Sequence, residues 1–323
     1  MPTWGDILLE LQATAENDTR PPDYDGVRRK YLAALSAYTG RNTVLYASNW
    51  LTPGAGGPGA AILLQDMQGL MEVFKDLPGP SLDLILHSPG GDPTAAASLV
   101  AYMREKYTDV RVFVPLAAMS AATMWSLAAD RIVMGKHSQL GPIDPQLAMP
   151  HGMVPAGAIR RQFEKAKLEC GQNPASLSAW LPTLQQYFPG LLEICSDAEE
   201  LGKQLVCEWL TRYMFKDNPD GAQLASDAAD FFSDDQVHGS HSRGIHRKAL
   251  RELSLVIDDL EDDPLLQDAV LSVHHATMHT MSNPSVQKIV ENNLGRAFVN
   301  IAMLQVMQAP GPPTSPLPAS IVL

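Results

Sequence analysis

Leu82-Asp83-Leu84-Ile85-Leu86 and Val110-Arg111-Val112-Phe113-Val114 are short apolar runs bounded by turn residues. Runs of this length, rich in branched side chains, predict buried strands. The first leads into His87-Ser88-Pro89-Gly90-Gly91, and the second stops at Pro115. Asp92-Pro93 then supplies an N-cap with proline at the first helical position, which predicts a helix to about Lys106. After Leu116-Ala117-Ala118, the residues Met119-Ser120-Ala121-Ala122 open an Ala-rich helix running to about Ala129. The order is strand, Gly-Gly turn, helix, strand, small-residue turn, helix. In a right-handed crossover both turns reach the carboxyl edge of one parallel sheet, where α/β sites are built.

The same periodicities predict the flanking elements. Thr3 to about Ala13 forms an amphipathic helix with Ile7, Leu8 and Leu11 on one side, followed by a polar linker through Pro22. Asp25–Tyr38 is a second helix, with Val27, Tyr31, Leu32 and Leu35 inside and Arg28-Arg29-Lys30 outside. Preceding the sheet, these two helices serve packing or subunit contact rather than chemistry. Thr43–Ala47 is the first strand, and the Gly/Pro-rich loop Thr52–Gly59 is either a groove border or plain surface. A helix over Ala61–Lys75 follows. Arg131–Met134 is a strand, Leu140–Leu147 a Pro-punctuated turn and Ala158–Leu168 a charged helix. Ser196-Asp197-Ala198-Glu199 is a capping-box pattern that starts a helix to about Met214. Another helix spans Leu265–Met281, and the Pro-rich stretch from Gln308 predicts a disordered tail.

Composition narrows the class. With 323 residues, 45% hydrophobic and 19% charged, the chain is expected to be a soluble globular protein with an ample core. Its net charge of −12 argues against a nucleic-acid partner and against an anionic membrane surface. Cys170, Cys195 and Cys207 form no CxxC and no metal spacing, so reduced buried thiols and a cytoplasmic location are expected. No basic start with an apolar core marks a signal peptide. The 18 residues Val112–Ala129 carry no charge, but Pro115, Ser120, Thr123 and Ser126 suit a strand, turn and helix better than a membrane span.

Ser120, at a strand-to-helix turn, is the candidate nucleophile. A serine there is also the ordinary N-cap. The Gly90-Gly91 turn and the N–H of Ala121 are candidate donors to an oxyanion, although a plain loop is equally Gly-rich. His137 follows Ser120 by 17 residues and reads more readily as a loop residue than as a base. Lys165 and Lys167 stand on a solvated helix. Lys203 shares a stripe with Val206, Cys207, Leu210 and Met214, where desolvation lowers a lysine pKa toward that of a general base. The competing reading is a lysine snorkelling from the helix edge. His238, His241 and His246, near Asp234 and Asp235, fit a hydrogen-bonding or subunit-contact loop better than a metal site. His274, His275 and His279 lack the HExxH glutamate and read as structural. No cofactor is implied.

The words Ala118-Met119-Ser120-Ala121, Leu127-Ala128-Ala129-Asp130, Ile132-Val133-Met134 and Leu140-Gly141-Pro142-Ile143-Asp144-Pro145-Gln146, with His87-Ser88-Pro89-Gly90-Gly91, together resemble one family. It is the serine dehydrogenase proteinase group of the ClpP/crotonase superfamily, related to signal peptide peptidase A and the stomatin-operon protease. The resemblance is dense over 43–147 and looser to about Phe298. It implies an α/β fold, a ClpP/crotonase-like spiral of βα units, with helical N- and C-terminal additions. The division expected is 1–42 N-terminal helices, 43–260 catalytic domain, 261–307 C-terminal helical segment and 308–323 tail. It further implies a serine peptidase acting on polypeptide, a homo-oligomer, and a Ser120–Lys203 dyad with Gly90, Gly91 and Ala121 at the oxyanion. ClpP has its histidine where this chain has Ile143-Asp144, so a ClpP-like triad is not expected. The chain departs from membrane-anchored relatives, and its 83-residue separation of Ser120 from Lys203 needs an insertion between Leu168 and Cys195. Two rivals stand beside this reading: an acyl-CoA enzyme using Asp144, and an inactive scaffold that binds polypeptide.

Overall fold

A computed structural model of the protein describes residues 3–15, 21–149 and 152–302; the tail expected over 308–323 lies outside the described residues. Strands β1 (Asn42–Ser48), β2 (Ser81–His87) and β3 (Asp109–Val114) are followed by the two-residue β4 (Ala117–Ala118). Next come β5 (Arg131–Met134), β6 (Gln139–Leu140), β7 (Gln146–Met149) and β8 (Gly152–Pro155). The last three are β9 (Ile257–Asp259), β10 (Val286–Asn292) and β11 (Ala297–Ile301). The helices begin with α1 (Trp4–Ala13), α2 (Tyr24–Thr39), α3 (Asp66–Phe74), α4 (Pro93–Lys106) and α5 (Ala121–Leu127). After the first βα units come α6 (Ala156–Gln172), α7 (Leu177–Leu184), α8 (Leu191–Trp209) and α9 (Gly221–Ser233), then α10 (Asp235–His238), α11 (Arg247–Glu252) and α12 (Pro264–Met281).

Seven strands form the central sheet, in the order β11-β10-β1-β2-β3-β5-β9. The run from β1 to β9 is parallel, and β10 and β11 add to it as an antiparallel hairpin. This is a mixed α/β fold with a mostly parallel sheet, as the sequence implies. Period-two alternation sorts the side chains into two cores. Val44, Tyr46, Leu84, Leu86, Val112 and Ile132 face the larger one, beneath α3, α4, α5, α8 and α9. Leu45, Ala47, Ile85, Phe113 and Val133 face the other, which α2 and α12 cover. The N-terminal helices are thus packing elements, with Ile7 and Leu11 of α1 set against Ala276 of α12.

Local chemistry explains several boundaries. Asp92 caps α4 through Thr94 N and Ala95 N with Pro93 behind it, and Thr3 with Asp6 forms a capping box on α1. The Ser196 pattern, by contrast, starts nothing. Leu191 and Cys195 pack against Ala156 and Ile159 of α6, and this contact carries α8 back to Leu191. The helix ends at Trp209 in a π-helical turn over Leu210–Met214. The helix expected from Ala61 begins only at Asp66. The stretch 261–307 is not wholly helical, since β10 and β11 join the sheet. Cys195 is buried, whereas Cys170 and Cys207 are half-buried; all three are free. Among the described residues no helix is long and apolar enough to cross a membrane.

Phe113 is fully buried between the sheet and α12. Phe113→Ala should therefore lower the unfolding free energy by about 3–5 kcal/mol, read as the shift of a urea denaturation curve. A loss under 1 kcal/mol would show that this face of the sheet is loosely packed.

Candidate active site

Both turns singled out in the sequence emerge at the carboxyl edge of the parallel strands. After β3 the chain leaves the main sheet, and β4 pairs in parallel with β6 as a small second sheet. Ser88 bridges to Ala118 in parallel, with Ser88 N donating to Ala117 O at 3.2 Å and Met119 N to Ser88 O at 2.9 Å. The two site segments therefore run side by side. Ser120 sits immediately before α5 with φ 50° and ψ −122°. An L-residue adopts that region at a cost of order 1–3 kcal/mol, and such residues cluster at functional turns. Its hydroxyl makes no capping hydrogen bond, so the ordinary N-cap role is not what holds it there. Thr123 Oγ1 lies 2.8 Å from Ala118 O and 2.9 Å from Gly141 O and accepts from Gly141 N. It fastens α5 to the loop that carries Ile143 and Asp144.

Gly90 and Gly91 both have positive φ, 96° and 156°. A Cβ on Gly90 would stand 2.7 Å from Ser120 Cβ and 2.9 Å from Ala121 N, so only glycine lets the two turns approach this closely. A Cβ on Gly91 would collide with the backbone of Ile62. Ile62 pairs with Gly91 in parallel: Ile62 N donates to Gly90 O at 2.8 Å, and Asp92 N donates to Ile62 O at 2.9 Å. In that pattern the N–H of Gly91 itself points away from Ile62. Gly90 N is occupied by Ser88 Oγ at 3.2 Å. Among the described residues neither Gly91 N nor Ala121 N meets an intramolecular acceptor. A side chain at Gly91 therefore carries a fold penalty of its own.

Ser120, Gly90, Gly91 and Ala121 line a cavity of about 840 Å³. Trp50 and the Gly56-Gly57 rim close one side, so the Thr52–Gly59 loop does border this groove. Ala198, Leu201 and Gly202 of α8 close the other, with Met124, Ile143, Leu147 and Met153 between. Among the described residues the one titratable side chain on this wall is His241. Its Nδ1 lies 2.7 Å from Asp144 Oδ1, and the second oxygen of Asp144 accepts from Gln146 Nε2 at 2.6 Å. An ionised carboxylate can only accept, so this contact places a proton on Nδ1; in the neutral ring the lone pair then belongs to Nε2. The imidazole is 27% exposed and the carboxylate 4%. The loop bearing His241 is fixed on either side, by His238 Nε2 to Phe231 O at 2.7 Å and by His246 Nδ1 to Ser138 O at 3.0 Å. The Leu140–Ile245 bridge adds a third tie.

Lys203 is not brought to this cavity. Ser196, Glu199 and Lys203 share the neighbouring face of α8 and line a separate, highly charged cavity with Arg160 and Arg161. The Lys203 ammonium pairs with Asp230 Oδ1 at 2.8 Å and is 41% exposed. The desolvated lysine expected from the apolar stripe is instead a snorkelling one at the stripe's edge. Lys165 and Lys167 pair with Glu169 and Glu164 on the exposed face of α6. His137 lies on the exposed turn after β5 and does not line the cavity.

Residues 64–172 match the family model of ClpP-like SDH-type serine proteinases, so the resemblance to serine dehydrogenase proteinases holds over that segment. Two uncharacterized proteins of Methanocaldococcus jannaschii are similar to this chain. MJ0137 is 36% identical over 105 residues, covering 32% of this chain and 35% of its own. MJ1495 is 33% identical over 106 residues, covering 32% and 34%. The matched stretch thus spans about a third of these relatives. Gly90, Gly91, Ser120, Ala121 and Asp144 fall inside the matched segment, whereas Lys203 and His241 fall outside it.

His87, beside the Gly-Gly turn, is fully buried with Nδ1 3.1 Å from Ala117 O. Burial pushes its pKa down to about 4, against the opposing pull of that carbonyl. Burial also lowers the pKa of His274, whose ring lies edge-on to His87. An unfolded histidine binds its proton near pH 6.5 and these folded ones do not, so the unfolded state takes up more protons as pH falls. Stability is fully present above pH 6.5 and is lost on acidification toward pH 4. His87 alone should cost roughly 2 kcal/mol by pH 5, measured as a falling urea midpoint between pH 7 and 5. A flat midpoint would mean that these rings titrate as they do in water.

Proposed function

We propose that this chain is a serine peptidase in which Ser120 is the nucleophile and His241, held by Asp144, is the general base. The observation that carries it is that, among the described residues, Ser120 shares one cavity wall with a single titratable side chain, and a buried carboxylate orients that imidazole. The family description of the 64–172 segment supports the reaction class. His241 Nε2 accepts the Ser120 proton as Oγ attacks the peptide carbonyl and later delivers it to the leaving amine. The N–H groups of Gly91 and Ala121 stabilise the oxyanion; Gly90 contributes close approach, because its own N–H is taken. Among the described residues no hydrogen bond yet joins His241 to Ser120. Catalytic contacts in substrate-free sites often tighten only when substrate binds.

The other candidate roles fare less well on the same geometry. Lys203, half-exposed and ion-paired, has neither the position nor the desolvation of a dyad base. Asp144 is engaged by His241 and Gln146, which disfavours it as the free carboxylate of an acyl-CoA enzyme. The substrate side chain beside Ser120 is apolar, since Met124, Ile143, Leu147, Met153 and Leu201 line that space without an ionised group among the described residues. Assembly into a homo-oligomer belongs to the same proposal.

Ser120→Ala should abolish cleavage of an unstructured protein such as casein, and His241→Gln should lower the rate roughly a hundred- to ten-thousandfold. Lys203→Met should retain most activity. A silent His241→Gln beside an inactive Lys203→Met would return the base to the lysine. Sequencing the cleavage products should show Leu, Met or Phe favoured over Asp or Lys by at least about tenfold. Equal use of charged and apolar residues would mean that this cavity does not select the substrate side chain.

A further inference from the structure

Outside the cavity, the most heavily bonded buried charges among the described residues are Lys288 of β10 and Asp66 of α3, both with fully buried side chains. Lys288 Nζ lies 2.7 Å from each Asp66 oxygen and 2.7 Å from Ala61 O. All three ammonium protons therefore have an acceptor. Asp66 Oδ2 also accepts from Tyr46 OH at 2.7 Å and from Leu63 N at 2.9 Å. The ion pair thus holds the backbone on both sides of one residue, Ile62. Ile62 in turn makes the two hydrogen bonds that flank Gly91.

From this arrangement we infer that Lys288, Asp66 and Tyr46 are positioning residues for the oxyanion donor, acting through Ala61, Ile62 and Leu63. The inference rests on the peptidase reading of Ser120 and Gly91. An ion pair sunk in a core is weak support for stability, because well-packed apolar residues of similar size often serve as well or better. What such a replacement cannot supply is a directional anchor for Ala61 O and Leu63 N. Without it the Ile62 segment is free to shift relative to Gly90 and Asp92. The N–H of Gly91 then loses its aim at the position where charge develops. Tyr46 ties the same network to the helix after Ser120, since its ring packs edge-on to Trp125 at 5.1 Å. The Tyr46 hydroxyl, but not its ring, is needed for the bond to Asp66.

The test compares wild type with Asp66→Leu/Lys288→Met, which removes both charges together, and with Tyr46→Phe, which keeps the ring. Peptide turnover and the rate of Ser120 labelling by a fluorophosphonate are measured, with the denaturation midpoint as a control for folding. The double variant is expected to fold, to lose about ten- to a hundredfold in kcat and labelling rate, and to keep KM within about twofold. Tyr46→Phe is expected to lose about two- to tenfold. A folded double variant that is labelled and turns over at the wild-type rate overturns the positioning role while leaving the peptidase reading intact. A wild type that is never labelled at Ser120 overturns both. If the double variant does not fold, Tyr46→Phe decides: wild-type kcat in a folded Tyr46→Phe protein refutes the inference.

Discussion

The parallel pairing between Ile62 and Gly91 is the contact on which the site geometry depends. It involves backbone alone, yet it engages the groups on either side of the Gly91 N–H and leaves that N–H open. Ile62 takes the carbonyl of Gly90 and the N–H of Asp92, while Ser88 Oγ takes the N–H of Gly90. Both glycines are required by close approach: one toward Ser120, the other toward Ile62. Asp92 belongs to the same arrangement, because it caps α4 with its side chain and bonds Ile62 with its backbone. A single turn thereby links helix entry, strand pairing and the presentation of one N–H.

Charge is handled differently on the two sides of α8. Ala198, Leu201 and Gly202 give the Ser120 cavity a wall without ionised groups. On the adjacent face Arg160, Arg161 and Lys203 are each paired with a carboxylate, from Glu199, Asp235 and Asp230. On the proposed mechanism, keeping fixed charges off the first wall leaves His241 and its buried partner, among the described residues, as the local source of proton chemistry. In surroundings of low dielectric, stray ions would act strongly on a developing oxyanion.

Much of this was legible in the sequence wherever a pattern was local. The strands around Leu84 and Val112, the proline-led start of α4, and the turn at Ser120 follow from residues within a few positions of one another. The proposed base was not legible. His241 and Asp144 stand 97 positions apart, and nothing near either one marks the other as its partner. The desolvation expected of Lys203 is not found because the edge of a helical stripe is wet. The β10–β11 hairpin was missed because Lys288, Glu291 and Asn292 are fully buried. Polar residues of that kind look solvated until their partners, Asp66, Arg28 and the Val73 carbonyl, are placed opposite them.

The positions of these groups along the chain have a consequence for synthesis. Gly91, Ser120 and Asp144 leave the ribosome well before His241, which follows the nucleophile by 121 positions. Contacts between residues so far apart in sequence form late, because the intervening loop must be closed before they can be made. On the proposed mechanism, a growing chain that has folded its first βα units presents a serine with no base to activate it. On that reading the nascent chain is unable to cut itself or its neighbours on the ribosome until the loop after α10 has docked against β6.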